Sequence, residues 1–278
     1  MIRHSDKTLL ERLERAEIAA WGDFYRAATP TSASACGLGV AEEAGTLAVR
    51  AAAADVLGLN RVIGLGMERP ASEASIDRLL DLFAGEHVPR FFVPVSPLAQ
   101  PADIGTLLVA RGFEHYNNWV KLYRDTSAPP QVSTDLTIRR IDEGEAPAFG
   151  RIVASCFDWP EPAAGWVADL IGRDGWRHYM AFDGASPAAT GALFIRDGYA
   201  WIDFATTRPE YRGRGAQSAL LARRVRDAAE LGCDGLVVET AEDTPEKPAP
   251  SFRNQLRFGF QVAYVCPNYI YRAPNDSP

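Results

Sequence analysis

Apolar residues recur every three or four positions over residues 6–28, where Leu9, Leu13, Ala16, Ala20 and Phe24 share one face, so the chain opens on a predicted amphipathic helix. From residue 136 the pattern changes period. LTIRRI (136–141) predicts a short strand, followed by helices around 144–157 and 162–172. WRHYMAFDG, AATGALFIRDG and YAWIDFATT then read as three strands, punctuated by Asp183-Gly184 and Asp197-Gly198. Asp-Gly between apolar runs marks a tight hairpin, because the turn needs positive φ, so these strands are expected to form an antiparallel meander. Over 216–231, Leu221, Val225 and Ala228 fall on one helix face, with Gly232 placed to terminate it. DGLVVET (234–240) predicts a buried strand, PSFRNQLRFGF (250–260) a short helix and QVAYVCPNYIYR (261–272) closing strands.

The stretch DTSAPPQVSTD (125–135) has almost nothing to bury and reads as a linker, taken as residues 126–134 between pieces 1–125 and 135–278. The two pieces echo each other. LLVARGFEHYNNWVKLYR (107–124) and NQLRFGFQVAYVCPNYIYR (254–272) both run from a helix tail through Gly-Phe into a strand ending in Tyr-Arg. GMERPASEASIDRLLDLF (66–83) and ATTRPEYRGRGAQSALL share an Arg-Pro pair before a helix. A degenerate internal repeat in a mixed α/β fold, a mostly antiparallel sheet flanked by helices, accounts for both echoes.

Composition narrows the function classes. The net charge of -7 is shared almost evenly by the halves, whereas a nucleic-acid binder shows a basic surplus. Cys36, Cys156, Cys233 and Cys266 have no C-x-x-C spacing, which argues against a zinc site or a disulfide framework and fits a reducing compartment. The N-terminal segment is charged throughout, unlike a signal peptide, and no apolar run approaches a membrane span. A soluble, cytoplasmic protein without a metal is expected.

The candidate chemistry begins at Arg212-Gly213-Arg214-Gly215. A strand, a glycine loop and a helix N-terminus aim backbone amides and the positive end of the helix at one point, which favours an anion. The two glycines allow close approach to a phosphate, and the two arginines offer charge-assisted contacts. A Walker site is excluded, since no Gly-Lys-Ser/Thr follows. Gly213-x-Gly215-x-x-Ser218 approximates a dinucleotide fingerprint, with Glu239 at a suitable distance for a ribose, but the loop ends an antiparallel meander where that fold needs a parallel βαβ unit.

ATTRPEYRGRGAQSALL instead resembles the coenzyme A loop of the GNAT superfamily of acyl-CoA-dependent N-acetyltransferases, and the order of elements over 136–272 is similar to that family's, including the late Gly259-Phe260. The resemblance implies two GNAT-like domains in tandem, a C-terminal one using acetyl-CoA to acylate a primary amine of a small molecule or peptide, acting as a monomer or homodimer. It places Ala205, Thr206 and Thr207 beside pantetheine, and Arg212, Gly213, Arg214, Gly215, Ala216, Gln217 and Ser218 around the pyrophosphate. Gln217 departs from the family's glycine or alanine, so its side chain must point away from the diphosphate. The N-terminal piece has no glycine in the matching RPASEASI, with Glu73 opposite Arg212, and is expected to be a degenerate domain without a phosphate loop.

For catalysis the resemblance offers Glu239 as general base, with burial expected to raise its pKa, against the alternative that it pairs with an arginine. Asp203 is a second candidate. The family's proton-donating tyrosine falls at Gln255, which cannot serve. Asn254 beside it could hydrogen-bond the coenzyme, and Tyr264, Tyr269 or Tyr271 could supply a proton. The missing tyrosine keeps open a second class of function, a noncatalytic CoA-binding sensor or interaction protein.

Overall fold

The computed structural model describes residues 7–274. Asp6, the first residue of the predicted opening helix, and the outer ends of both predicted domains lie outside the described residues. The N-terminal half runs α1 (Lys7–Arg26), α2 (Pro30–Cys36), β1 (Leu38–Glu43), β2 (Thr46–Ala51), β3 (Arg61–Ile63), α3 (Glu73–Gly85), β4 (Arg90–Pro94), α4 (Ile104–Ala110) and β5 (Glu114–Asp125). The C-terminal half runs β6 (Thr137–Arg140), α5 (Ala146–Cys156), α6 (Pro162–Ala168), β7 (Trp176–Asp183), β8 (Ser186–Arg196), β9 (Tyr199–Thr207), α7 (Ala216–Glu230), β10 (Gly235–Ala241), α8 (Pro250–Arg257) and β11 (Gln261–Arg272).

Local sequence accounts for most of these elements. In the β8–β9 turn Asp197 and Gly198 take φ of 49° and 77°, the doubly positive pair that a two-residue hairpin requires. On α7, Leu221, Val225 and Ala228 are all buried, and Gly232 follows the helix at a φ of 74° with its amide on Ala229 O. On α1 the apolar stripe Leu13, Ala16, Ala20 and Phe24 is buried, but Glu14 and Glu17 are buried with it. Two carboxylates on a covered face require internal partners, and these define the junction described below.

The described residues form one sheet in the order β1-β2-β3-β4-β11-β5-β10-β9-β8-β7-β6, antiparallel except at β3–β4 and β9–β10. The predicted closing strands are a single strand, β11, bulged twice along its pairing with β5. It leaves its own half to pair with β4, while β5 crosses the other way to pair with β10. The halves thus exchange their last strands, and the repeated Gly-Phe-to-Tyr-Arg segments lie side by side with Val265 opposite Val120. Burial on both faces suits either edge equally well, so strand periodicity does not reveal this exchange.

One face carries α1, α2, α5 and α6 over a core common to both halves, where Phe24 stacks on Trp166 at 3.9 Å between ring centroids. The indole of Trp166 donates to Phe24 O at 2.8 Å, so α1 is tied to the C-terminal half. The other face has separate cores, one under α3 and α4 and one under α7 with Phe258 and Phe260.

Candidate active site

β9 and β10 pair in parallel only from Tyr199–Gly235 to Trp201–Val237. Beyond that they part. β9 is bulged against β8 here, with Phe204 at a φ of 51°, and its far end is left without a partner on the β10 side. A cleft of about 440 Å³ lies over the parting, lined by Ala205, Thr207, the loop from Tyr211 to Ser218 apart from Arg214, and residues of α7 and α8 including Arg224, Asn254, Gln255 and Arg257. Unpaired strand edges beside such a space offer amides and carbonyls to an extended amide-bearing arm.

The loop is built to leave its amides free. Gly215 is the N-cap of α7 at a φ of 78° and has no side chain to cap the first turn, so the opening amides of the helix remain available. Gly213, at a φ of 82°, has open space where a Cβ would be. Arg212 lies exposed at the mouth, its guanidinium making a weak 3.4 Å contact to Thr207 O. Gln217 folds back into the sheet, its amide donating to Thr206 O at 2.6 Å, Thr207 Oγ1 at 3.1 Å and Thr190 O at 3.2 Å.

Not every residue of the loop reaches the cleft. Thr206 is buried on the other side of β9, with its hydroxyl 2.6 Å from that of Thr190. The guanidinium of Arg214 turns outward to Asp135 and, at 2.7 Å, to Asp183. The residues read as a linker share in this anchoring: Thr134 Oγ1 donates to Arg214 O at 2.7 Å, and a Cβ on Gly215 would come within 2.7 Å of Ser133 O. Arg214 is therefore a brace for the loop. Arg214→Ala is expected to leave the melting temperature within a few degrees while weakening the binding of an anion at the loop about threefold to tenfold through loss of loop order, which calorimetry with CoA as the probe checks.

Glu239 faces away from the cleft. Its carboxylate is 3% exposed and bonded to Arg61 Nη2 at 3.1 Å and Lys121 Nζ at 2.9 Å. Lys121 also bonds Glu17, and Arg61 lies between the indoles of Trp21 and Trp119 at 4.6 and 4.7 Å. Burial, the largest influence, acts to raise the pKa of Glu239, as expected from sequence. Lys121 and Arg61 outweigh it, and the carboxyl lies below its ordinary value. Glu17 is pushed the other way, up, by burial and by the facing charge of Glu239. Asp203 is partly buried, accepting from Trp201 Nε1 at 3.1 Å and the Phe204 amide at 2.7 Å. Tyr264 donates to Glu14 at 2.6 Å, and Tyr269 and Tyr271 pack beside the N-terminal core. None of these lines the cleft, in contrast to Asn254, which does.

The N-terminal counterpart of the loop is built differently. α3 begins four residues after Arg69, whereas α7 begins eight residues after Arg208, so Glu73 belongs to the first turn of the helix and not to a loop. Ser72 and Ser75 cap that turn reciprocally, and Glu73 pairs with Arg111 at 2.6 Å. Beside β3, the chain's own Gln100 occupies the open edge, its amide on Gly66 O at 2.8 Å and its carbonyl accepting from Ala71 at 2.7 Å.

Residues 141–252 match the acetyltransferase (GNAT) family. No curated protein matches the chain. Among solved structures, the fold is similar to a GCN5-related N-acetyltransferase from Kribbella flavida, with 16% identity over 95% of each chain and a TM-score of 0.65. It is also similar to a tandem GNAT protein from the clavulanic acid biosynthesis pathway, with 15% identity over 99% of this chain and 97% of that one and a TM-score of 0.55. A putative GNAT acetyltransferase from Novosphingobium aromaticivorans shares 14% identity over 84% and 91%, with a TM-score of 0.52. At these identities the likenesses speak for the fold. The C-terminal half thus contains a segment that matches a GNAT family model, within a fold similar to that of a tandem GNAT protein.

Sequence reasoning missed Tyr211, Pro250, Ser251, Arg224 and Arg257 as lining residues. Arg224 had a legible signal: it is a charge set between Leu221, Val225 and Ala228, on a stretch otherwise read as apolar. Arg257 had only its proximity to Gly259.

Proposed function

We propose that the C-terminal half holds a CoA thioester, acetyl-CoA in the simplest case, along the parted edges of β9 and β10 and transfers its acyl group to a primary amine of a small molecule or peptide. The observation that supports this is the meeting of three features in one cleft: parted strands, an uncapped helix N-terminus and a glycine loop with an unpaired arginine at its mouth. In the reaction the amine nitrogen bonds the thioester carbonyl carbon, the C–S bond breaks, and the proton lost by nitrogen balances the one gained by the departing thiolate. The cleft lining holds no carboxylate and no imidazole among the described residues. A thiol with a pKa of about 8.5 leaves without strong acid assistance, so water can carry both proton transfers.

Glu239 is then a residue that holds the halves together. In an assay of free thiol release over a panel of amines, Glu239→Gln is expected to lower the melting temperature while the folded enzyme retains turnover within about tenfold, the upper part of which is below the usual 10²–10⁴ contribution of a general base. A loss of 100-fold or more at unchanged melting temperature would restore it as the base.

The bare lining favours one other reading, a CoA-binding module without catalysis. Saturable CoA binding in calorimetry with no thiol release for any amine, beyond the spontaneous rate, is the outcome that selects it.

A further inference from the structure

Arg224 is a buried cation, 1% exposed, whose side-chain hydrogen bonds among the described residues all go to backbone carbonyls and none to a carboxylate. Its guanidinium makes three long contacts to backbone carbonyls: Nε to Leu220 at 3.2 Å, and Nη1 to Ala192 at 3.3 Å and Asp203 at 3.4 Å. Nη2 makes none. The nearby carboxyl of Asp203 is held by Trp201 and the Phe204 amide. A charge removed from water with only weak carbonyl contacts is costly, and burial pushes this guanidinium's pKa down to about 10.

Its position along the cleft identifies which part of a ligand it meets. From Ala216 to Arg224 the helix advances about 12 Å. From Thr207 back to the bulge at Asp203, four strand residues cover about 13 Å. Arg224 therefore lines the end of the cleft far from the glycine loop, beside the bulge, where a diphosphate held at Gly213 and Gly215 cannot reach. Ala205, with its small side chain, lines this end, and Gly191 lets the guanidinium lie close against β8, where a Cβ would approach Arg224 Cζ to 3.0 Å.

Resting on the assignment of the cleft to a CoA thioester, we propose that the acyl group carried there ends in a carboxylate, and that Arg224 is the residue that recognises it, so that the donor is a dicarboxylic acyl-CoA of the malonyl, succinyl or glutaryl class. A permanent anion on the acyl chain supplies a counter-charge in the ground state, as a guanidinium–carboxylate pair with little water around it. A neutral acetyl group leaves the cation as it stands.

Calorimetry on the full chain with CoA, acetyl-CoA, malonyl-CoA, succinyl-CoA and glutaryl-CoA tests this directly, and the three diacid arms distinguish chain length. At least one diacid thioester is expected to bind about tenfold or more tighter than acetyl-CoA, as a charge-assisted hydrogen bond from Nη2 implies. Arg224→Met is expected to reduce the ratio of diacid-ester to acetyl-CoA affinity to less than about threefold, and Gly191→Ala, which crowds the guanidinium, to lower the same ratio. Equal affinity for acetyl-CoA and all three diacid esters in the wild-type protein overturns the proposal, and leaves the cleft's assignment intact provided CoA binds. Failure of every CoA ester to bind overturns both.

Discussion

Gly213→Val is expected to lower CoA affinity by 100-fold or more in calorimetry while the melting temperature falls by only a few degrees. The backbone at Gly213 has a φ of 82°, so any side chain there incurs left-handed strain, roughly 1–2 kcal/mol. No protein atom lies within 4 Å of where its Cβ would be, so the folded chain itself has room for the valine. That empty volume is the place a diphosphate must occupy to meet the uncapped amides of α7, and a branched side chain fills it. Arg212→Glu is expected to act in the same direction by charge reversal, at nearly constant stability, because its side chain is exposed and its hydrogen bond to Thr207 O is a weak 3.4 Å contact. Gly215 is a poorer probe. A Cβ there would collide with Ser133 O, so loss of binding in Gly215→Val would report a displaced brace as much as a blocked phosphate. Unchanged CoA affinity in both Gly213→Val and Arg212→Glu would overturn the assignment of the cleft.

Lys121→Met is expected to destabilise the protein by about 3–5 kcal/mol, measured by denaturant unfolding, because it strands two buried carboxylates. Lys121 is the ammonium shared by Glu17 on α1 and Glu239 on β10, and it lies over the Trp201 ring at 5.1 Å. Arg61 alone cannot replace it. It bonds Glu239 well but is 3.8 Å from Glu17, and its Nε and Nη1 have no partner. The cluster also sets opposite pH dependences. Glu239 has a folded pKa below its unfolded value, so its contribution to stability is present above that unfolded value and is lost as pH falls through the lower folded one. Glu17 has a folded pKa raised from 4.5 to about 7, so its contribution is full below 4.5 and is lost as pH rises to about 7. Glu17→Gln is accordingly expected to remove a decline in melting temperature between these two pH values that the wild-type protein shows. An unaltered pH profile in Glu17→Gln would mean that the proton is held elsewhere in the cluster.

The same residues show how far a sequence can be read. The meander was legible because Asp197-Gly198 satisfies a turn that few residue pairs can make, and α7 because its apolar stripe has helical period. Glycines at 213 and 215 announced an anion loop through backbone conformation alone, a property carried by single residues. Arg214 was less transparent: composition put two arginines in the loop, but only the positions of Asp135 and Asp183 direct one of them outward. Glu239 was legible as a buried strand carboxylate, while its partners come from residues 17, 61 and 121, far away in the chain. Without them the sign of its pKa shift could not be obtained, because burial and ion pairing act in opposite directions.

By itself, then, the amino-acid sequence determined what short-range physics controls: the opening helix, the order of elements in the C-terminal half, the Asp197-Gly198 hairpin and the left-handed glycines before α7. Tertiary structure decided the exchange of β5 and β11, the pairing of Gln100 with Gly66 and Ala71 beside β3, the withdrawal of Glu239 into an ion cluster and the position of Arg224 in the cleft lining. The reason is one of range. Turn conformation and helix periodicity depend on neighbours a few residues apart, whereas charge pairing and strand partnership depend on which distant segments the shared core brings together.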